Sequence, residues 1–122
     1  MRKSADQWKK RVSAIVGSIV LGLARFAHAQ EFPEIAAATK PIEDGVPDVA
    51  VQQLKRLLAN NLPAEGRAIA TGKLAEALVL AGQPAEALKL FEPPESLRGV
   101  SADFWHAQAL AALGHWEEAL AI

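Results

Sequence analysis

Apolar residues recur at helical spacing along most of the chain after residue 45. They fall at intervals of three and four residues, which is the spacing of one face of an α-helix. Four such stripes are Ala50, Leu54, Leu57 and Leu58; Ile69, Leu74, Ala75, Leu78 and Val79; Ala87, Leu88 and Phe91; and Phe104, Ala107, Leu110 and Ala111. No segment shows strand-type alternation of comparable strength. The pattern predicts an all-α fold of short antiparallel helix pairs.

Prolines and glycines mark the ends of these helices. Pro47 and Pro84 suit a first helical turn, where the missing N–H has no partner to lose. Gly82 and Gly114 suit the left-handed residue that follows a helix. The predicted helices span about residues 46–61, 63–81, 84–91, 101–113 and 116–122.

Two further features concern glycine and proline inside the pattern. Residues 30–45 contain Pro33 and Pro41 and are predicted to be a lead-in segment with little regular structure, although the run EIAAATK allows a turn or two of helix.

Gly66 and Gly72 each cost a helix about 1 kcal/mol relative to Ala. We expect them where a neighbouring element approaches closely.

The N-terminus has the three parts of a secretory signal. A basic leader precedes the apolar run Val12–Leu23, and Ala27 and Ala29 then form an A-x-A pattern. A run of 12 residues is short of the roughly 20 that span a bilayer. We predict a cleaved signal peptide over residues 1–29, with Gln30 as the first mature residue, and a periplasmic or secreted protein. The alternative is an uncleaved helix that anchors the chain.

Removing residues 1–29 changes the charge. Six of the 13 basic residues and one of the 14 acidic residues lie there, which leaves seven basic and 13 acidic residues, a net charge of −6. Such a domain has no electrostatic footprint for nucleic acid or anionic lipid. The chain also has no cysteine, which excludes disulfides, thiolate catalysis and cysteine-based zinc sites.

Three segments of the chain resemble one another. Each begins with glycine and has an alanine five residues later; the segments start at Gly45, Gly82 and Gly114, with Ala50, Ala87 and Ala119 as those alanines. The glycines are separated by 37 and 32 residues. Ala75 and Ala107 each precede a glycine by seven residues. A glycine that reverses the chain and small residues that let two helices approach closely are typical of helix-pair repeats.

This arrangement resembles the tetratricopeptide repeat (TPR) over roughly residues 45–122. The positions that carry the resemblance, and that it identifies as repeat-defining packing residues, are Ala50, Ala75, Gly82, Ala87, Ala107, Gly114, Trp116 and Ala119. Phe91 and Pro94 also match. The chain departs from the family in its irregular period, in Pro84 where an aromatic is expected, and in Thr71 near the start of one first helix. Sel1-like or other αα-hairpin repeats are alternatives.

The resemblance implies an α-solenoid whose first helices form a peptide-binding groove. On helix side alone, that groove would be lined by Arg67, Thr71, Lys73 and Gln108. Trp105 and Trp116 could form a recognition platform, but we expect them to pack between helix pairs.

No catalytic residue, metal ligand or cofactor site is predicted. His106 and His115 are nine residues apart with the Gly114 turn between them, so they lack the spacing of a helical metal site. Glu117 and Glu118 begin a helix, where carboxylates are stabilised by the helix dipole.

We therefore expect an exported, non-enzymatic TPR-like scaffold that binds a protein or peptide partner. The last predicted helix has seven residues, too few to be stable alone, and an N-terminal fragment of a longer repeat protein would explain this. Self-association through the exposed face of the C-terminal helix is another explanation. The alternative function is a helical interaction module N-terminal to a larger exported enzyme or receptor.

Overall fold

The computed structural model describes residues 32–92, 97 and 100–122. The predicted signal peptide over residues 1–29 and the predicted first mature residue, Gln30, lie outside these residues. The described residues form helices and no strand, and the all-α prediction is confirmed for them. The six helices are α1 (Pro33–Glu43), α2 (Pro47–Ala59), α3 (Ala64–Leu80), α4 (Pro84–Lys89), α5 (Val100–Ala112) and α6 (Trp116–Leu120).

Helices α2 to α6 correspond to the five predicted helices, with ends that differ by at most two residues. The prediction of little regular structure for residues 30–45 is wrong in its described part, since α1 spans 11 residues. Pro33 begins this helix, where proline is tolerated. Pro41 lies in the last turn, so its missing N–H removes one bond near the helix end rather than several.

The helices pack mainly against neighbours in the chain. Helix α2 packs against α3, α3 packs against both α4 and α5, and α5 packs against α4 and α6. Fourteen apolar residues form the buried core of the described residues: Ile35, Ala38, Ala50, Val51, Leu54, Ala70, Leu74, Ala75, Ala77, Leu78, Ala87, Phe91, Ala109 and Leu110. Seven of the fourteen are alanine, and such small side chains let helix axes approach to the close end of the usual 8–10 Å range.

Two residues of the predicted apolar stripes are exposed instead. Ile69 of α3 and Phe104 of α5 are 42% and 52% exposed. In α5 the fully buried alanine is Ala109, which was not on the predicted stripe. The sequence of α5, VSADFWHAQALAA, is apolar on several faces, so its periodicity does not single out one of them.

Three turns between helices share one backbone geometry. They follow α1, α3 and α5 and centre on glycines with positive φ: Gly45 at 79°, Gly82 at 75° and Gly114 at 82°. In each turn the glycine N–H donates to the carbonyl three residues earlier, and the next N–H donates to the carbonyl five residues earlier. The oxygen acceptors are Ile42 and Pro41, Val79 and Leu78, and Ala111 and Leu110, at 2.8–3.2 Å. This is the Schellman motif, which satisfies the last carbonyls of a helix.

The residue after each glycine is also the N-cap of the next helix. These residues are Val46, Gln83 and His115, with ψ angles of 64°, 55° and 59°. One helix therefore ends and the next begins with no intervening loop residue. Four residues beyond the N-cap, Ala50 and Ala87 are fully buried and Ala119 is half-buried.

Among the described residues, none of the helices has the length and apolar character needed to cross a membrane.

Candidate functional site

An open groove lies between α3 and α5 and encloses about 350 Å³. Residues of α3 spaced at i, i+1, i+4, i+5 and i+8 form one wall, because this spacing follows one helix face. The residues that line the groove are Ala68, Ile69, Gly72, Lys73 and Glu76 from α3, Ser101, Ala102 and Trp105 from α5, and Phe91 and Leu97 between the two helices.

The interior of the groove is mostly apolar. Ile69 on the α3 side remains 42% exposed, and Trp105 on the α5 side is half-buried. Phe91, which is only 5% exposed, lies at the base. Apolar side chains that stay open to solvent in a concave surface are typical of sites that bind another molecule.

Gly72 deepens the groove on the α3 side. A Cβ atom built at Gly72 meets no described atom within 4 Å outside its own stretch of helix, and the residue does not have a positive φ. The expectation that a neighbouring element approaches Gly72 closely is therefore wrong. This mid-helix glycine costs α3 stability without a packing contact or a backbone conformation that requires it.

The charged groups on the groove wall neutralise each other. Lys73 Nζ donates a hydrogen bond to Glu76 Oε2 at 2.9 Å, one turn further along α3. The Lys73 side chain is 46% exposed and the Glu76 side chain only 18%. The described residues of the groove lining therefore carry no net charge.

Of the four residues predicted to line a peptide groove, only Lys73 does so. Arg67, Thr71 and Gln108 are not part of the lining. Thr71 Oγ1 donates to the backbone carbonyl of Arg67 at 2.7 Å, so its hydroxyl is engaged within α3. Arg67 and Thr71 precede the lining positions Ala68 and Gly72 by one residue, which rotates them about 100° around the helix.

Aromatic contacts fix α5 beside the end of α4. The imidazole of His106 is stacked on the Phe91 ring, with centroids 4.6 Å apart. Phe104 and Trp105 make an edge-to-face contact with centroids 5.0 Å apart. Trp105, next to His106, is thereby held on the groove wall.

The histidines and glutamates near the C-terminus do not converge on one point. His106 stacks on Phe91, whereas His115 Nδ1 lies 3.0 Å from Glu118 Oε1, three residues further along the chain. Both partners of that contact are at least half exposed. Within the described part of the chain, no three His, Cys, Asp or Glu residues lie close enough to hold a metal ion.

The predicted repeat-defining packing residues differ in burial. Ala50, Ala75 and Ala87 are at most 1% exposed, Ala107 and Ala119 are half-buried, and Gly82 and Gly114 form turns. Trp116 is 64% exposed, so the packing role expected for it is wrong. Helix α6 packs against α5 alone among the described helices, and the outer side of α6 meets none of them.

Nine of the ten lining residues, all except Lys73, were not predicted to line a groove, and Ile69, Gly72, Glu76 and Trp105 are among them. Ile69 was counted with the core stripe of α3, and Trp105 was expected to pack between helix pairs. Among these residues, Gly72 was the clearest indication of a functional site in the sequence. Glycine destabilises the middle of a helix, so a glycine there often has a packing or functional role.

Comparisons with protein-family models, curated proteins and solved structures find no match to this chain.

Proposed function

We propose that this chain is an exported TPR-like scaffold that mediates protein–protein interaction in the periplasm or cell envelope. It acts by binding a peptide segment of a partner in the groove between α3 and α5, and it has no catalytic role. The observation that carries the proposal is the groove itself. It is an open, mostly apolar surface between two helices that each precede a Schellman turn, and the two charged residues of its described lining, Lys73 and Glu76, form an ion pair.

The shared backbone geometry of the three glycine turns supports the interpretation of the chain as a helical-repeat protein. Each turn follows a helix and leads directly into the next one, and an alanine lies five residues after each glycine. In a helical-repeat protein the first helices of successive pairs line one surface. Helices α3 and α5 hold that position here, because each precedes its glycine turn.

Export is supported by the sequence of residues 1–29. The basic leader, the short apolar run and the A-x-A pattern are together typical of a secretory signal. Expression in a Gram-negative host followed by cell fractionation and mass determination tests this part. We expect a periplasmic product that begins at Gln30. A product that retains residue 1 in the cytoplasmic fraction would refute export and leave the groove proposal to its own test.

The binding function is tested by selecting displayed 12-residue peptides on the purified protein. Selected peptides should bind at least ten-fold more weakly to Ile69→Glu, because a charge in an apolar groove must be desolvated when the peptide docks. Gln53→Glu places the same charge on an exposed position of α2 and should leave binding unchanged. Failure to select any peptide, or equal binding to Ile69→Glu, would contradict the proposed function.

A further inference from the structure

The packing of the described residues gives no reason for a glycine at position 72, in the middle of α3. The residue does not have a positive φ, and outside its own stretch of helix no described atom lies within 4 Å of the position its Cβ would occupy. Alanine there would stabilise α3 at no steric cost. The missing side chain leaves space on the groove wall, between Ile69 on the same helix and Trp105 on the opposite wall.

The space is suited to a large apolar side chain. The lining on both walls is mainly apolar, and among the described lining residues the charged ones, Lys73 and Glu76, are paired with each other at 2.9 Å. An inserted charged group would lose hydration and would find no unpaired counter-charge among these described residues. A leucine or phenylalanine side chain would bury apolar area against Ile69 and the Trp105 ring at no such cost.

The described residues as a whole carry an excess of acidic side chains. The described residues carry eleven acidic side chains, namely those of Glu34, Glu43, Asp44, Asp48, Glu65, Glu76, Glu86, Glu92, Asp103, Glu117 and Glu118. They carry six basic ones, those of Lys40, Lys55, Arg56, Arg67, Lys73 and Lys89. This excess of five negative charges attracts a basic partner segment and repels an acidic one.

We propose that Gly72 determines the specificity of the groove. It admits one large apolar side chain of a partner peptide, and the acidic surface selects peptides in which lysine or arginine flanks that side chain. This inference rests on the proposed function, because it specifies which peptide the groove between α3 and α5 binds.

Four synthetic peptides test the inference on the full chain: KKAAFAAKK, KKAASAAKK, EEAAFAAEE and EEAASAAEE, each with blocked termini and a fluorescent label. Binding is measured by fluorescence anisotropy at low and at high salt. The peptide KKAAFAAKK should bind most tightly. Replacing its Phe by Ser should weaken binding at both salt concentrations, whereas the preference for lysine over glutamate should decrease at high salt.

Variants of the protein test the role of Gly72. Gly72→Leu fills the space and should weaken binding of KKAAFAAKK at least ten-fold, and Gly72→Ala should weaken it by less. Gly72→Ala should also raise Tm by about 4–8 °C, because the gain in helix propensity meets no clash. Gln53→Leu adds the same side chain at an exposed position of α2 and should leave binding unchanged.

The outcomes separate the inference from the proposed function. Gly72 does not set specificity if the Gly72→Leu variant binds KKAAFAAKK as tightly as the unmodified protein does, or if the Phe and Ser peptides bind alike. In either case, peptide binding in the groove is still supported if Ile69→Glu abolishes the binding of KKAAFAAKK. If the glutamate peptide binds as well as the lysine peptide at low salt, the charge selection is wrong. If none of the four peptides binds and no displayed peptide can be selected, the proposed function fails as well.

Discussion

The imidazole of His106 lies flat on the ring of Phe91, with the ring centroids 4.6 Å apart and the ring planes 8° from parallel. Phe91 follows α4 and is 5% exposed, whereas His106 lies in the middle of α5 and is half-buried. The stack therefore joins the end of α4 to the middle of α5. It also holds the neighbouring Trp105 on the wall of the groove.

We expect the Phe91–His106 stack to contribute measurably to stability. Phe91→Ala should lower the free energy of unfolding by about 3–5 kcal/mol, because it removes a buried aromatic side chain. A double-mutant cycle with His106→Ala, measured by urea unfolding, should give a coupling energy of about 0.5–1.5 kcal/mol. His106→Phe retains a stacking ring and serves as the control. Additive effects of the two alanine substitutions would show that the rings are merely adjacent.

The glycines of this chain should respond to alanine in opposite directions. Gly82→Ala forces a side chain into a left-handed conformation, with φ of 75°, and should destabilise the protein by about 1–2 kcal/mol. Gly72→Ala should stabilise it by about 1 kcal/mol. Urea unfolding of both variants under identical conditions measures the difference. Equal effects of the two substitutions would be inconsistent with the backbone geometry described.

The fully buried alanines leave no room for larger side chains. Ala87 in α4 has no exposed surface, so Ala87→Leu should cost about 1–3 kcal/mol through displacement of its neighbours. Ala85→Leu adds the same atoms two residues away at an exposed position and should change the free energy of unfolding by less than about 0.5 kcal/mol. Thermal melting followed by circular dichroism compares the two. A similar Tm for both variants would mean that α4 does not pack as described.

Glu86 should titrate below the usual range of a glutamate. The hydrogen bond and the positive charge of Lys89, 2.7 Å away, lower the pKa of Glu86, and Lys55 of α2 adds to this effect. A carboxyl with a lowered pKa in the folded state stabilises the fold above its ordinary pKa, and this contribution is lost as the pH falls through the lowered value. Side-chain ¹³C NMR titration should show that Lys89→Met raises the pKa of Glu86.

Two comparisons make this titration specific. Lys55→Met should raise the Glu86 pKa by less than Lys89→Met does, since Lys55 contributes the smaller effect. Lys40→Met removes a lysine that is not among the causes of the shift and should leave the Glu86 titration unchanged. Because both side chains of the pair are about half exposed or more, salt should weaken the effect of either lysine.

Trp116 should be tolerant of substitution in spite of its size. The side chain is 64% exposed, so Trp116→Ser removes little buried area from the described fold. We expect a change in the free energy of unfolding within about 0.5 kcal/mol, as for other surface substitutions. Trp105→Ser, at a half-buried position of α5, is the matched comparison and should cost more. Urea unfolding that ranks the two tryptophans in the reverse order would contradict the burial described.

Local signals in the sequence were sufficient to locate helices α2 to α6 and the turns at Gly82 and Gly114. Gly82 and Pro84 mark a helix end and a helix start through backbone chemistry that does not depend on distant residues. The helix at Pro33–Glu43 was missed because proline was interpreted as a breaker, although proline is acceptable in the first turn and Pro41 costs little in the last. The effect of proline depends on its position within the helix.

The groove was harder to predict because it depends on which helix faces which. Ile69 has the chemistry of a core residue, and only the packing of α3 against α5 determines that it stays open to solvent. The sequence of α5 is apolar on several faces, so it does not predict which face of the helix is buried. Lys73 lines the groove because it lies on the same face of α3 as Ile69 and Gly72.

At the three Schellman turns, no loop residue separates the end of one helix from the start of the next. The rotation of each helix about its axis is therefore set by the helix that precedes it. The last residue of each turn is already the N-cap of the following helix, so the turn contains nothing that could absorb a change in length. One inserted residue after Gly82 would rotate α4 by about 100° and carry Ala87 away from the interior. The length of these turns therefore fixes the rotation of each helix relative to the one before it. We expect substitutions of the N-cap residues to be tolerated better than insertions or deletions in the turns.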